Sequence, residues 1–391
     1  MSHPQSIRTN AELHTWIGKE VAVGRWREIS QSGRPSTIEP MRLRPFSGTK
    51  RVSAMACRAR LRSEVVLAGK AIAPAYGGIN LEDIAMPKCF RVLREARRLC
   101  TIPVWHDDQQ GTGTVVLAAL LNALKVVGKQ IDHVRIAMIG MGAANIPTYR
   151  YLKASGADAG NIVACDLGGI LGPHRHEYET NPDYREQWTV CVESNRDQRR
   201  GGIAEALAGA DVCVAFAAGG IIKPEWVRTM ARDAVLFACA NPVPEIWPWE
   251  ATEAGARIVA TGRSDFPNQV NNSLVFPGIF RGALDVRAAT ITDEMAIAAA
   301  HELARYAADK GLSDGYILPS MDEWEVVPRV AVATAMKAQE QGVARLRKTA
   351  EELHRSAVER ISDARKALSA LTGQWVIPQA PNQEPRGIGR Q

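Results

Sequence analysis

From Asp132 onward, short apolar runs alternate with stretches in which apolar residues recur every three or four positions. Apolar runs bounded by turn formers predict strands, and the longer period predicts helices. The strands expected on this basis are 134–139, 162–166, 212–216, 234–239 and 256–260. Helices are expected over 143–155, from Ile203 to Leu207 and from Pro224 to Met230, with longer ones over 292–308 and 328–353. Strand alternating with helix is the signature of an α/β, Rossmann-like, doubly wound parallel sheet covered on both faces.

Upstream the pattern is less regular. Residues 72–82 read as a loop-rich segment, and Phe90, Leu93 and Ala96 predict a helix from Pro87 to Cys100. Ile102 to Trp105 predicts a strand ending at His106-Asp107-Asp108, and Thr112 is the candidate N-cap of an apolar helix from Val115 to Val127. These elements predict a second α/β domain over 1–130 that carries acidic side chains. A dinucleotide-binding domain is expected over 131–318, and helices returning to the first domain, with a mobile tail from Pro378, over 319–391. Residues 1–40, interrupted at Ser32-Gly33-Arg34-Pro35, are expected to wrap or dimerise rather than build a core.

A length of 391 residues suits two domains, and 46% hydrophobic with 23% charged residues is ordinary globular composition. No apolar run reaches about 18 residues and the start MSHPQSIRTN has no signal-peptide core, so a cytoplasmic chain without membrane partners is expected. The seven cysteines show no CxxC spacing, which predicts reduced, buried thiols rather than disulfides or a cysteine-based zinc site. The formal charge of +6 is uneven: residues 42–70 hold eight Lys and Arg against Glu64 alone. Such a stretch attracts phosphate, nucleic acid or an acidic protein face, although a solvated helix explains it equally. No aromatic residue interleaves its closely spaced arginines as a stacking platform requires, so nucleic acid is not the expected partner.

Two constellations carry chemistry. Gly140-Met141-Gly142-Ala143-Ala144 follows an apolar strand and opens a helix, the context in which such a turn holds a dinucleotide pyrophosphate. Asn145 stands where the fingerprint has a third small residue; it either loosens helix–strand packing or adds a contact near the phosphates. Asp166, 26 residues after Gly140, is placed to accept from both ribose hydroxyls and to repel a 2′-phosphate. That favours NAD, with NADP as the alternative because His174 and Arg175 follow closely. The second constellation is Glu82-Asp83 with Asp107-Asp108, a set of hard oxygen ligands. Glu82, Asp83 and Asp108 are the candidate Mg²⁺ or Mn²⁺ ligands, with Asp107 hydrogen-bonding behind them. The plainer alternative is acids that cap the following helices. Asn241, Asn268, Asn271 and Asn272 follow strands, where amides either hold a carboxamide and a substrate carboxylate or simply build turns. His106, beside the acids, is either catalytic or packs a turn.

These words resemble the malic enzymes, specifically the short bacterial type. The resemblance rests on Tyr76-Gly77-Gly78-Ile79-Asn80-Leu81-Glu82-Asp83, on Pro103 to Thr112 (PVWHDDQQGT), on Ala240-Asn241-Pro242-Val243-Pro244-Glu245, and on the segment from Thr261 to Arg287. It implies a divalent cation at Glu82, Asp83 and Asp108 and NAD(P) on the Gly140 loop. It also implies Asn241 and Asn271 near nicotinamide and substrate, and at least a homodimer. The implied reaction is oxidative decarboxylation of malate to pyruvate and CO₂, with a lysine as base and a tyrosine in the proton path. Here the beginning of the chain departs from the family. No tyrosine precedes Tyr76, and Arg44 falls where the lysine is expected. Arginine stays protonated and is a poor base. Lys50 or Lys70 becomes the candidate base and Tyr76 the candidate acid. A related dehydrogenase acting on another 2-hydroxy acid, or a nucleotide-binding homologue without efficient turnover, remains as an alternative.

Overall fold

The computed structural model describes Val21–Arg25 and residues 62–373. Arg44, Lys50, most of the arginine-rich stretch, the breaker cluster and the tail from Pro378 lie outside the described residues. The chain forms a small sheet and a large one with a layer of apolar helices against them.

The small sheet is parallel throughout, in the order β1 (Val21–Arg25), β2 (Gly78–Glu82), β3 (Val104–His106). Helix α1 (Arg62–Ile72) precedes β2, and α2 (Lys88–Leu99) crosses from β2 to β3. Strand β2 corrects the loop expected over 72–82. Its first four residues are all buried, and a strand covered on both faces shows no alternation for a sequence reading to detect. A Cβ at Gly78 would come 2.9 Å from the Phe280 ring, so close packing from a distant helix selects this glycine.

The apolar helix also starts elsewhere than expected. A π-helical turn, Asp107–Gly111, runs directly into α3 (Thr112–Val127). Thr112 is already helical (φ −62°, ψ −47°) and caps nothing; His106, extended, holds the N-cap position. The acids Asp107 and Asp108 therefore occupy the first turn of a long helix. Among the described residues Asp107–Val127 is the one helix long and apolar enough to cross a bilayer, yet 72% of its apolar stretch is buried inside the protein. It is a core helix.

The large sheet has the order β6 (Gly169–Ile170), β5 (Ile162–Asp166), β4 (Ile136–Ile139), β7 (Val212–Ala215), β8 (Ala234–Ala238), β9 (Ala256–Thr261). Five strands are parallel, and β6 returns antiparallel to β5. The expected all-parallel sheet is thus mixed at one edge, because a two-residue strand is too short to leave a periodic signal. Strand order reverses at β4, which makes its carboxyl end the topological switch point. Helix α4 (Asn145–Ala154) follows β4, α5 (Arg185–Glu193) and α6 (Ile203–Leu207) precede β7, and α7 (Pro248–Glu253) precedes β9.

Beyond β9 comes a helix that periodicity did not show, α8 (Phe276–Asp285), buried at every position with Pro277 in its first turn. Helix α9 (Asp293–Lys310) begins where the Thr292 hydroxyl accepts the Met295 N–H at 3.1 Å. The single helix expected over 328–353 is two, α10 (Val326–Glu340) and α11 (Ala350–Gly373), separated at a left-handed Gly342 (φ +70°). Helix α9 packs along both α3 and α10, and α8 lies on α10. The buried Asn122 of α3 donates to the carbonyls of Ala304 (2.8 Å) and Ile317 (2.9 Å), locking these helices together.

Candidate active site

Parallel pairing of β2 with β3 sets Leu81 opposite His106. Glu82-Asp83 and Asp107-Asp108 consequently leave the small sheet at the same end. The Asp83 N–H donates to Asp108 Oδ2 at 2.8 Å, with Asp83 held in left-handed backbone (φ +58°), a conformation that aspartate tolerates better than most residues. Asn80 Nδ2 donates to Glu82 Oε1 at 2.7 Å. Behind them Asp107 is buried, and the Trp105 indole donates to its Oδ1 at 3.1 Å. Burial, and then the neighbouring Glu82 and Asp108, push the Asp107 carboxyl well above the usual carboxylate range. Burial likewise pushes His106 down to about 3. Its ring is neutral near pH 7, so its 3.8 Å approach to Asp108 is not an ion pair there.

These side chains fit a hard cation by donor type rather than by a finished geometry. Among the described residues no three His, Cys, Asp or Glu already stand as a ligand set. Yet carboxylates crowd together, and nearby Asn80 Oδ1, both His106 ring nitrogens and Gln109 Nε2 are buried without a hydrogen-bond partner. Polar groups in that state call for a further polar or charged group.

The glycine turn leaves the carboxyl end of β4. Gly140 has φ +85°, its N–H donates to Cys165 O at 2.7 Å, and a Cβ there would lie 2.3 Å from Phe216 O. Both conformation and the neighbouring strand end demand glycine. Gly142 differs, because its Cβ would meet only the Met86 side chain, at 3.8 Å. Ala143 and Ala144 lead into α4, in whose first turn the Ile146 N–H donates to Gly142 O (3.2 Å), the Thr148 N–H donates to Ala144 O (3.3 Å), and Pro147 carries none. Asn145 corrects the expectation of looser packing or a phosphate contact. Fully buried, its Nδ2 donates to Gly140 O at 2.8 Å and Ile139 O at 3.1 Å, fastening the turn to its own strand. Gln187 of α5 secures the same turn by donating to Met141 O at 3.0 Å.

Asp166 ends β5 as expected, but it is engaged within the protein. Its Oδ1 accepts from Gly168 N (2.8 Å) and Arg175 Nη1 (3.0 Å), and its Oδ2 accepts from Arg175 Nη2 (3.3 Å) and the Tyr178 hydroxyl.

Three amide-bearing turns complete the arrangement. Asn241 is exposed after β8, and its Nδ2 lies 2.7 Å from where a Gly262 Cβ would be. Beneath it the buried Glu245 accepts from Ala217 N (2.7 Å) and Ala240 N (3.0 Å), tying the ends of β7 and β8 together. Burial raises the Glu245 carboxyl despite those two donors. Asn268 is structural: it donates to Val259 O and Asp314 O and accepts from Ile317 N. Asn271 accepts from Ser273 N at 2.9 Å.

The acid turn meets the other two. A Cβ at Gly111 would fall 2.0 Å from Asp107 Oδ1 and 3.1 Å from the Asn272 Cβ, and one at Gly113 would fall 3.2 Å from Thr148 N of α4. The acid turn is thus packed against the segment of Asn272 and against α4, the helix that follows the nucleotide turn. Lys70 and Tyr76 are not brought there. Both precede β2, whereas Glu82 ends it, about 13 Å of strand away. Lys70 is exposed, and its charge is felt by Cys100, which lies before β3. Sequence reading gave no role to Trp105, Tyr178, Gln187 or Glu245, and set Arg175 only beside the NADP alternative. Only Glu245 had a visible sign, a lone carboxylate between Pro244 and Ile246 in an apolar segment.

The chain is similar to known proteins in both sequence and fold. A family model described as the malic enzyme NAD-binding domain matches residues 109–339. The NAD-dependent malic enzyme of Geobacillus stearothermophilus is 47% identical over 282 residues, covering 72% of this chain and 57% of that protein. The bifunctional malic/malolactic enzyme of Bacillus subtilis is 43% identical over 294 residues, covering 74% and 69%. The chain thus spans little more than half the length of the first relative. Among solved structures, the malic enzyme of Entamoeba histolytica superposes with a TM-score of 0.85 at 36% identity, over 96% of this chain and 82% of that one. The Pyrococcus horikoshii malic enzyme gives 0.79 at 38%, over 95% and 90%. With a family model over more than half its length and relatives this similar, the chain belongs to the malic enzyme family.

Proposed function

We propose that the chain carries out NAD(P)-linked oxidation of a 2-hydroxy acid, and that with malate the product is pyruvate and CO₂. The observation that carries this reading is the contact between the acid and nucleotide turns: Met86, four residues after Glu82, borders the Gly142 position at 3.8 Å. Glu82, Asp83 and Asp108 would hold Mg²⁺ or Mn²⁺. Such a cation would supply Lewis-acid polarisation of a bound hydroxy acid, and NAD(P) would supply the hydride acceptor. The Gly140–Gly142 turn, at the N-terminus of α4, would hold the pyrophosphate. Asn241 and Asn271 orient the nicotinamide and the substrate carboxylate, and Asp107, fastened by Trp105, fixes the start of the acid-bearing helix. The nucleotide-binding part is proposed to begin near residue 131, and the chain to assemble as at least a dimer, which sedimentation would test.

A second reading, oxidation of another 2-hydroxy acid without decarboxylation, is favoured by the placement of Lys70 and Tyr76 away from the acids. The test is NAD⁺ reduction across a panel of 2-hydroxy acids, with Mn²⁺ or with EDTA. Malate is expected to give NADH and pyruvate in equal amounts with Mn²⁺ and neither with EDTA. NADH from another acid without pyruvate selects the second reading. Nucleotide binding with no NADH from any acid overturns both.

A further inference from the structure

The cluster at the end of β5 is more elaborate than a ribose contact needs. Asp166 has four donors on its two oxygens, and a carboxylate offers about four lone-pair sites. It cannot accept from a ribose without giving up a partner. Its charge is also matched by the Arg175 guanidinium, whose side chain is only 10% exposed. That guanidinium is in turn saturated. Its Nη groups donate to Asp166, to Gly169 O (3.2 Å) and to the Tyr178 hydroxyl (3.3 Å), and its Nε donates to Glu177. It also lies over the Tyr178 ring, 4.9 Å from the centroid. Gly168 permits this, since a Cβ there would fall 2.6 Å from Arg175 Nη2.

The partners of Arg175 are not equivalent. Asp166 is 15% exposed and belongs to the end of a core strand, whereas Glu177 is 55% exposed on a short surface helix. Glu177 is the partner that can leave at least expense. Its carboxylate stands on the guanidinium edge as a phosphate oxygen would, because Arg binds both groups in the same planar, charge-assisted manner. The Arg175 hydrogen bond, above all, holds the Glu177 carboxyl below its ordinary range, and the charges of Arg175 and His174 add to that effect. This is therefore a guanidinium edge with a removable anion, located where Rossmann-like folds read the adenosine ribose.

We infer that Glu177 occupies, on Arg175, the place of a cofactor 2′-phosphate, so that this exchangeable pair lets the chain accept NADP as well as NAD. Arg175 and Glu177, rather than Asp166, then set cofactor preference. The inference rests on the nucleotide reading of the Gly140 turn and goes beyond it. Calorimetry of the full chain with ADP and with adenosine 2′,5′-bisphosphate, which carries the 2′-phosphate, tests it without turnover. Wild type is expected to bind the two within about tenfold of each other, the range open to one charge-assisted contact in exchange for another. Glu177→Gln is expected to tighten the bisphosphate by about fivefold and leave ADP unchanged, because a competing anion is gone. Arg175→Gln is expected to weaken the bisphosphate by about tenfold or more while ADP holds or tightens, since Asp166 is released. Glu177 is exposed, so its variant reports even if the Arg175 variant fails to fold. ADP binding about a hundredfold tighter than the bisphosphate in wild type, or an unchanged Glu177→Gln, overturns the inference alone. Binding of neither nucleotide overturns the nucleotide reading, and this inference with it.

Discussion

At Gly140 and Gly142 one residue type answers two different demands. Gly140 is required by the fold: φ is +85° and a side chain would strike Phe216 O. Gly140→Ala is expected to lower stability by about 1–3 kcal/mol, read from a urea midpoint, and to weaken ADP binding. Gly142 meets only a flexible Met86 tip, so Gly142→Ala is expected to change stability by less than about 0.5 kcal/mol yet still weaken ADP binding. Equal losses of stability in both variants would reject that division. Both glycines were legible in the sequence; their different reasons were not, because the neighbour at Gly140 comes from a strand some seventy residues on. Asn145 makes the same point, since its Nδ2 also donates to Val214 O at 3.3 Å, a carbonyl 69 residues on. Glu245 supplies a pH dependence. Its folded value is raised above the ordinary 4.5, so the stability it contributes is fully present below that value and is lost as pH rises through the folded value. Urea midpoints from about pH 4 to about pH 8 should show wild type losing stability relative to Glu245→Gln as pH increases. A constant difference between the two would contradict it.

Elements were legible where period and exposure agree. Strand β4, though wholly buried, was legible as an unbroken apolar run, which β2, with Gly78 and Asn80, does not offer. Strand β2 and helix α8 show neither: each is covered on all sides, so neither alternation nor an amphipathic stripe survives. The start of α3 was misplaced for another reason. Asp107 to Gly111 carries polar residues that look like a loop, and only their burial against Trp105, Asn272 and α4 draws them into a helical turn. Closely approaching helices leave a sharper test. A Cβ at Gly282 of α8 would lie 2.3 Å from Ala331 O of α10. Gly282→Ala is expected to force the two helices apart and to destabilise by about 2–3 kcal/mol, despite the better helix propensity of alanine. A thermal midpoint at or above that of wild type would show that the contact yields easily.

For the whole molecule, the proposed ligands Glu82, Asp83 and Asp108 come from two separate segments brought together by the parallel pairing of β2 with β3. Cation binding should therefore register as stability as well as activity. At Mn²⁺ about a hundredfold above its dissociation constant, the linkage is worth about 2.7 kcal/mol. Wild type is expected to melt at a higher temperature in Mn²⁺ than in EDTA, and Glu82→Gln and Asp108→Asn to lose that difference. A shift of equal size in both variants would remove those carboxylates from the proposed ligand set.

The sequence by itself determined the alternation of strand and helix, the glycine turn at the end of its strand, and the acid and amide words along the chain. Each is local, set by residues within a turn or a strand of one another. The tertiary structure alone decided which of those words meet. It joined Glu82-Asp83 to Asp107-Asp108 through parallel pairing, turned Asn145 inward, closed Asp166 with Arg175 and Tyr178, and left Lys70 and Tyr76 at the far end of the sheet. Strand direction and order, which fix the end of a sheet a residue reaches, depend on contacts between segments far apart in the chain.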